Sequence, residues 1–195
     1  MTLTVIGPRW TRTSRVLWCL EELGLDYEHE DHPPHSPPVK ALNTLNQVPI
    51  LKDGDAVLTD SVAILNYLAD RAGALTYPSG SVARAIMDAR IMFLVAELEV
   101  PLWMTNRHSY VLPEDMRKPE IFPVLETDFG LAEKKFTRLL GDADYFGGEN
   151  FTIADIVATA ILEWGDGAVG LTRDSAKTYL ERMQARPAFS RSKGD

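Results

Sequence analysis

Residues 46–54 read Asn-Gln-Val-Pro-Ile-Leu-Lys-Asp-Gly, or NQVPILKDG. Val48, Ile50 and Leu51 have the character of a strand, Asp53-Gly54 that of a tight turn, and "AVLTD" follows, so the stretch predicts a β-hairpin. Pro49 stands inside it. Proline gives a ladder no N–H and is confined within sheets to edges, strand starts and bulges. Two readings are open. A trans proline would merely begin an edge strand. A cis Val48-Pro49 bond costs only about 0.5–1 kcal/mol before proline and would turn the Val48 N–H and C=O outward, ready to pair with an extended peptide as an added strand does.

Upstream of the hairpin, "TLTVI" (2–6) is a short β-rich run. After Gly7-Pro8, "RWTRTSRVLWCLEELGL" (9–25) places Val16, Leu17, Leu20 and Leu23 at helical spacing. Thr11, Thr13 or Ser14 can cap this helix, and Gly24 stops it. "DYEHED" reads as a second strand. "HPPHSPPVK" (32–40) reads as a loop on its prolines, with a short helix or turn at "VKALNTL". Downstream, "SVAILNYLADRAG" (61–73) is a helix closed by Gly73. Two strands joined by a helix predict a parallel pair, and the hairpin adds an antiparallel edge, which makes a small mixed α/β sheet.

From "LTYPSGS" onward the pattern is helical. "SVARAIMDARIMFLVAELEVPLW" is interrupted by Pro101, where a kink or a new segment is expected. "PEIFPVLETDFGLAEKKFTRLLG", "FTIADIVATAILEWG" and "DSAKTYLERMQARPAF" each read as one further helix. The fold class expected is therefore α/β followed by all-α, with the change of character near Thr76–Ser81.

The totals bound the function. In 195 residues, 45% hydrophobic and 25% charged, there is material for one sizeable core or two small ones. The single cysteine, Cys19, permits no internal disulfide and points to a reducing compartment, the cytoplasm. Lying well inside the first helix, it is expected to be an inert small hydrophobe. The start of the chain lacks the features of a signal peptide. The longest apolar stretch, "IVATAIL", is far short of the ~20 residues that cross a bilayer. A net charge of −8 argues against nucleic acid.

Two local motifs concern chemistry and stability. In "LTDSVAIL" (58–65), Ser61 is placed to cap a helix whose free first-turn N–H groups form an anion cradle, with Asp60 beside it to accept bonds from an ammonium. Together they suit a ligand bearing both an α-amino and an α-carboxylate group. In "FTIADI" (151–156), Thr152 and Asp155 make a variant capping box with Phe151 and Ile156 at staple positions, which is a structural signal.

A βα unit with hydroxyl residues at the helix entrance, then "NQVPIL", then "TDSVAIL", then an all-helical half containing "FTIADI", resembles the soluble glutathione transferase family of bacterial and plant type along nearly the whole chain. The resemblance implies a thioredoxin-like domain over residues 1–76, a linker over 77–82 and an all-helical domain over 83–195. It also implies a homodimer, glutathione as co-substrate, no metal, and a small apolar electrophile as the other partner. Carried over onto matching positions, Val48 before Pro49 pairs its backbone with the cysteinyl part of glutathione. Asp60 and Ser61 hold the γ-glutamyl end, Gln47 touches the tripeptide, and His35 or Lys40 meets the glycine carboxylate.

The match departs from the pattern at one place. Trp10, not a hydroxyl residue, falls at the usual serine position. Thr11 is then the nearest hydroxyl and the candidate thiol donor, aided by the helix N-terminus, which lowers a thiol pKa. Trp10, Phe93, Trp103, Arg107 and His108 are candidates for the electrophile wall. The activity implied is conjugation of the glutathione thiolate. The alternatives are a weakly catalytic glutathione-binding carrier or partner-binding module, and a peroxidase, isomerase or dehalogenase on the same fold.

Overall fold

The computed structural model describes residues 2–194. Two compact units divide the chain: residues up to Arg84 together with those from Gln184 on, and residues Ala85–Met183.

The first unit is built on a four-stranded sheet in the order β2-β1-β3-β4. Its strands are β1 (Leu3–Ile6), β2 (Tyr27–Glu30), β3 (Ile50–Asp53) and β4 (Ala56–Thr59). β1 pairs parallel with β2 (Val5 opposite His29) and antiparallel with β3 (Val5 opposite Leu51), and β4 completes the expected hairpin. Pro49 stands one residue outside the ladder, whose rung at that end is Ile6–Ile50. The missing N–H therefore costs the sheet nothing. Helix α1 (Thr13–Leu23) buries Val16, Leu17, Trp18, Cys19 and Leu20 and ends at Gly24 in the left-handed region. Helix α3 (Ser61–Ala72) buries Ile64, Leu65, Leu68 and Ala69, ends likewise at Gly73, and packs on α1. This is the thioredoxin-like half that the sequence predicts.

The proline-rich loop is shorter than expected. Helix α2 (Pro37–Leu42) opens with two of its prolines at the first helical positions, where an N–H would have no partner in any case. The stretch read as one last helix is two, α8 (Asp174–Gln184) and α9 (Pro187–Lys193). Pro187 pushes Arg186 into extended backbone (φ −69°, ψ 132°), as the residue before a proline prefers. Residues from Gln184 on, grouped by the sequence with the helical half, pack in the first unit, where α9 lies on α1.

The second unit is helical. Helix α4 (Val82–Phe93) runs into a five-residue π-helical segment, Leu94–Leu98, and then α5 (Glu99–Asn106). Pro101 lies in the first turn of α5. Its ring would meet the carbonyl four residues back in a regular helix, and the wider π turn absorbs the misfit just upstream. Helices α6 (Phe122–Leu140), α7 (Ile153–Ala168) and α8 follow. The core holds Phe136 stacked on Phe146 at 4.5 Å, with Tyr179 edge-on to Phe136 at 5.3 Å.

The capping box of α7 forms as its spacing predicts. Asp155 is fully buried and accepts from Thr152 N (2.9 Å), Phe146 N (2.5 Å) and the Tyr179 hydroxyl (2.8 Å). Burial pushes its carboxyl up, and these donors act against that rise.

Candidate functional site

In the first unit, the end of β1, the entrance of α1 and the segment before β3 converge on Gly7. Gly7 has φ +136°, and a Cβ there would lie 2.3 Å from Thr13 Oγ1 and 2.8 Å from Val48 Cβ. Only glycine permits this approach. The Val48-Pro49 peptide is cis. The Val48 side chain packs against Ile6, Val39 and Ile50. Among the described residues, no ladder or turn bond engages the Val48 N–H or C=O.

Asn43 sets up this segment, and sequence reasoning missed it. It is buried, its Nδ2 donates to the Gln47 carbonyl at 2.9 Å, and its Oδ1 accepts from Leu45 N at 2.9 Å. His35, exposed and at φ +65°, donates its backbone N–H to the Asn46 carbonyl at 3.0 Å. The loop bearing His35 is thereby tied to the residues leading into Val48. Gln47 is exposed, and Lys40 is exposed in the last turn of α2.

At the start of α3 the capping assignment is corrected. Asp60, not Ser61, is the cap: its Oδ1 accepts from Val62 N at 2.9 Å and Ala63 N at 3.0 Å. Asp60 caps from φ +70°, outside the extended backbone usual at this position. Both bonds fall on Oδ1, and among the described residues Oδ2 has no hydrogen-bond partner. Ser61 is the first helical residue, buried, and its Oγ accepts from Arg15 Nη1 at 3.4 Å. Arg15 is itself buried. The signal for it was its position on the apolar face of α1, three and four residues before Trp18 and Cys19, where a cation needs a reason to be.

At the start of α1, Arg12 is at the N-cap position with no side-chain capping bond, and Thr11 precedes it and ties the entrance turn. Its Oγ1 accepts from Thr13 N at 3.2 Å, donates to the Pro8 carbonyl at 2.7 Å and lies 2.8 Å from Thr13 Oγ1. Trp10 is 80% exposed. Burial pushes the Cys19 thiol up, which keeps it protonated and unreactive.

The other candidates lie in the second unit. Phe93 ends α4 with its ring 6.4 Å from that of Phe146, and Trp103 is half-buried on α5. Arg107 is exposed, and His108 Nδ1 accepts from Lys118 N at 3.1 Å. Among the described residues no group of three or more His, Cys, Asp or Glu side chains is placed to hold a metal ion, and no helix is long and apolar enough to cross a membrane.

Two family models match the chain: the glutathione S-transferase N-terminal domain over residues 12–76 and the glutathione S-transferase C-terminal domain over residues 82–187. Glutathione S-transferase F14 of Arabidopsis thaliana is 28% identical over 90% of this chain and 76% of its own length. Glutathione S-transferase PARB of Nicotiana tabacum is 30% identical over 80% and 78%. The crystal structure of a theta class glutathione S-transferase from Xanthomonas axonopodis pv. citri, solved with glutathione bound, superposes with a TM-score of 0.82. It is 25% identical, over 98% of this chain and 96% of its own. The chain belongs to the glutathione S-transferase family, whose co-substrate is glutathione.

Proposed function

We propose that the protein conjugates glutathione to a small apolar electrophile and that the tripeptide is held in the first unit. The observation that carries this reading is the convergence on Gly7: an unengaged Val48 main chain stands beside the entrance of α1. Arg15, on that same helix, reaches Ser61 at the start of α3. In this reading the Val48 N–H and C=O pair with the cysteinyl backbone as an added strand would. The γ-glutamyl carboxylate meets the first-turn N–H groups of α3 and the Ser61 hydroxyl. Arg15 occupies a lone pair of Ser61, which leaves the serine hydrogen to be donated. Asp60 Oδ2 accepts from the ammonium. Gln47 touches the tripeptide, and the glycine carboxylate meets His35 or Lys40.

The N-terminus of α1 favours the thiolate. The sulfur attacks the electrophilic carbon, a C–S bond forms, the leaving group departs with its electron pair, and the thiol proton goes to solvent. Thr11 enters this proposal as the residue that holds the entrance turn, because its hydrogen is committed to Pro8. That commitment favours a second reading, a glutathione-binding carrier that conjugates weakly. A detoxifying role, a cytoplasmic location and a homodimer belong to the same proposal by family resemblance; sedimentation velocity decides the last.

Ser61→Ala tests the site. The loss of a hydrogen bond to a charged group, worth about 1.5–3 kcal/mol, weakens glutathione binding roughly 10- to 100-fold by calorimetry. Unchanged affinity sinks the assignment. Turnover of an activated aromatic halide separates the enzyme from the carrier.

A further inference from the structure

Two consecutive peptide planes lead into Val48, and the protein holds the carbonyl of each. The Asn46 carbonyl accepts from His35 N at 3.0 Å. The Gln47 carbonyl accepts from Asn43 Nδ2 at 2.9 Å. Asn43 is buried, and its amide fits in one orientation only: Oδ1 accepts from Leu45 N at 2.9 Å, so a flipped amide would set donor against donor and acceptor against acceptor.

The Gln47-Val48 bond is trans. In a trans peptide the carbonyl and the following N–H lie in one plane and point to opposite sides of the chain. A single plane therefore carries both the oxygen that Asn43 holds and the Val48 N–H. With the oxygen turned onto the buried Asn43, the N–H is turned away from it, and among the described residues no ladder or turn bond takes it up. Half a turn of the same plane would bring the oxygen to the side where the N–H now stands, and a ligand carbonyl would meet a second acceptor.

We infer that Asn43 is a positioning residue for glutathione. Its side-chain amide fixes the Gln47-Val48 plane so that the Val48 N–H is presented to the cysteinyl carbonyl. Asn43 acts through that plane and not by contact with the ligand. The inference rests on the glutathione site proposed above and adds the group that orients its main-chain donor.

Two substitutions in the full chain remove the donor and keep an acceptor for Leu45 N. Asn43→Asp does so at about pH 8, where a carboxyl is ionised, and Asn43→Ser does so through a hydroxyl that bonds two residues on. Each is titrated calorimetrically with three ligands. Glutathione and γ-glutamylcysteine both offer an oxygen at the cysteinyl carbonyl carbon, whereas γ-glutamylcysteamine keeps the γ-glutamyl end and the thiol but lacks that carbon. Affinity for the first two should fall roughly 5- to 10-fold in either variant, the loss of one hydrogen bond. Affinity for γ-glutamylcysteamine should stay within about twofold of wild type. Equal losses for all three ligands would make Asn43 a merely structural residue, and a loss for glutathione alone would place its effect at the glycine end. Either result, or no loss at all, overturns the inference while leaving the glutathione site in place. Circular dichroism checks folding, and if one variant fails to fold the other decides. In the wild type, glutathione should slow deuterium exchange at the Val48 amide and γ-glutamylcysteamine should not; an amide that glutathione leaves unprotected overturns the inference whatever the variants do. A wild type that does not bind glutathione overturns the site as well.

Discussion

Thr11 concentrates three interactions on one oxygen: it donates to Pro8, accepts from Thr13 N and receives the Thr13 hydroxyl. A residue so engaged holds a turn, and this has a consequence that separates positioning from catalysis. Thr11→Val removes all three bonds and should lower stability by about 1–2 kcal/mol, read as a drop in Tm of roughly 2–8 °C. The pKa of the bound glutathione thiol, followed through the ultraviolet absorbance of the thiolate, should not rise. Thr11→Ser should keep both properties. If the hydroxyl instead stabilised the thiolate, Thr11→Val would raise that pKa, each unit being worth about 1.36 kcal/mol. Ser61 is the contrasting case, because its acceptor side is taken by Arg15 and the proposal gives its hydrogen to the ligand.

Helix α7 shows how an element's own sequence can be read and where that reading stops. Its cap was legible because Thr152 and Asp155 satisfy neighbouring N–H groups at fixed offsets, a local rule that needs no partner. The stops at Gly24 and Gly73 and the β3–β4 hairpin were legible for the same reason. Gly165 within α7 was not. A Cβ there would lie 2.2 Å from Phe129 Cζ on α6, a ring that is itself buried. The helix gains about 1 kcal/mol in propensity from Gly→Ala, but overpacking a core costs typically 1–3 kcal/mol. With contact this close to a buried ring, overpacking wins. Gly165→Ala should therefore lower Tm rather than raise it, and a rise in thermal unfolding would show that the ring can move. Arg15 and Asn43 escaped the sequence for a related reason: helical periodicity treats a charged or polar residue as solvated, and only the packed structure reveals what it faces. Asp60 and Ser61 differ by one position, which is finer than capping preferences resolve.

At the scale of the whole chain, the first unit is discontinuous, since it is completed by residues that follow the second. Phe189 of α9 meets Trp18 of α1 edge-to-face at 5.0 Å. Arg186 grips Glu22 with two bonds, Nε to Oε1 at 2.7 Å and Nη2 to Oε2 at 2.8 Å. Arg191 holds Glu21 at 2.8 Å, and Arg9 donates to the Ser192 carbonyl. Contacts across 164 residues leave no trace in local pattern, and for that reason the sequence alone groups the last helix with the helical half. The Glu22 side chain is only 9% exposed. Ending the chain after Gln184 would leave its carboxylate with the Trp18 indole N–H but without the cation. Breaking a buried pair in this way costs about 3–5 kcal/mol, and the lost Phe189 packing adds to it. The truncated protein should therefore melt at least roughly 6–10 °C lower. Because α9 packs on α1, whose entrance lies beside Val48, its glutathione affinity should fall as well. Arg186→Gln in the full chain should reproduce most of the loss in Tm if the ion pair dominates, whereas Phe189→Ala should do so if packing dominates. A truncated chain that melts and binds like the intact one would mean that α9 merely rests on the unit instead of completing it.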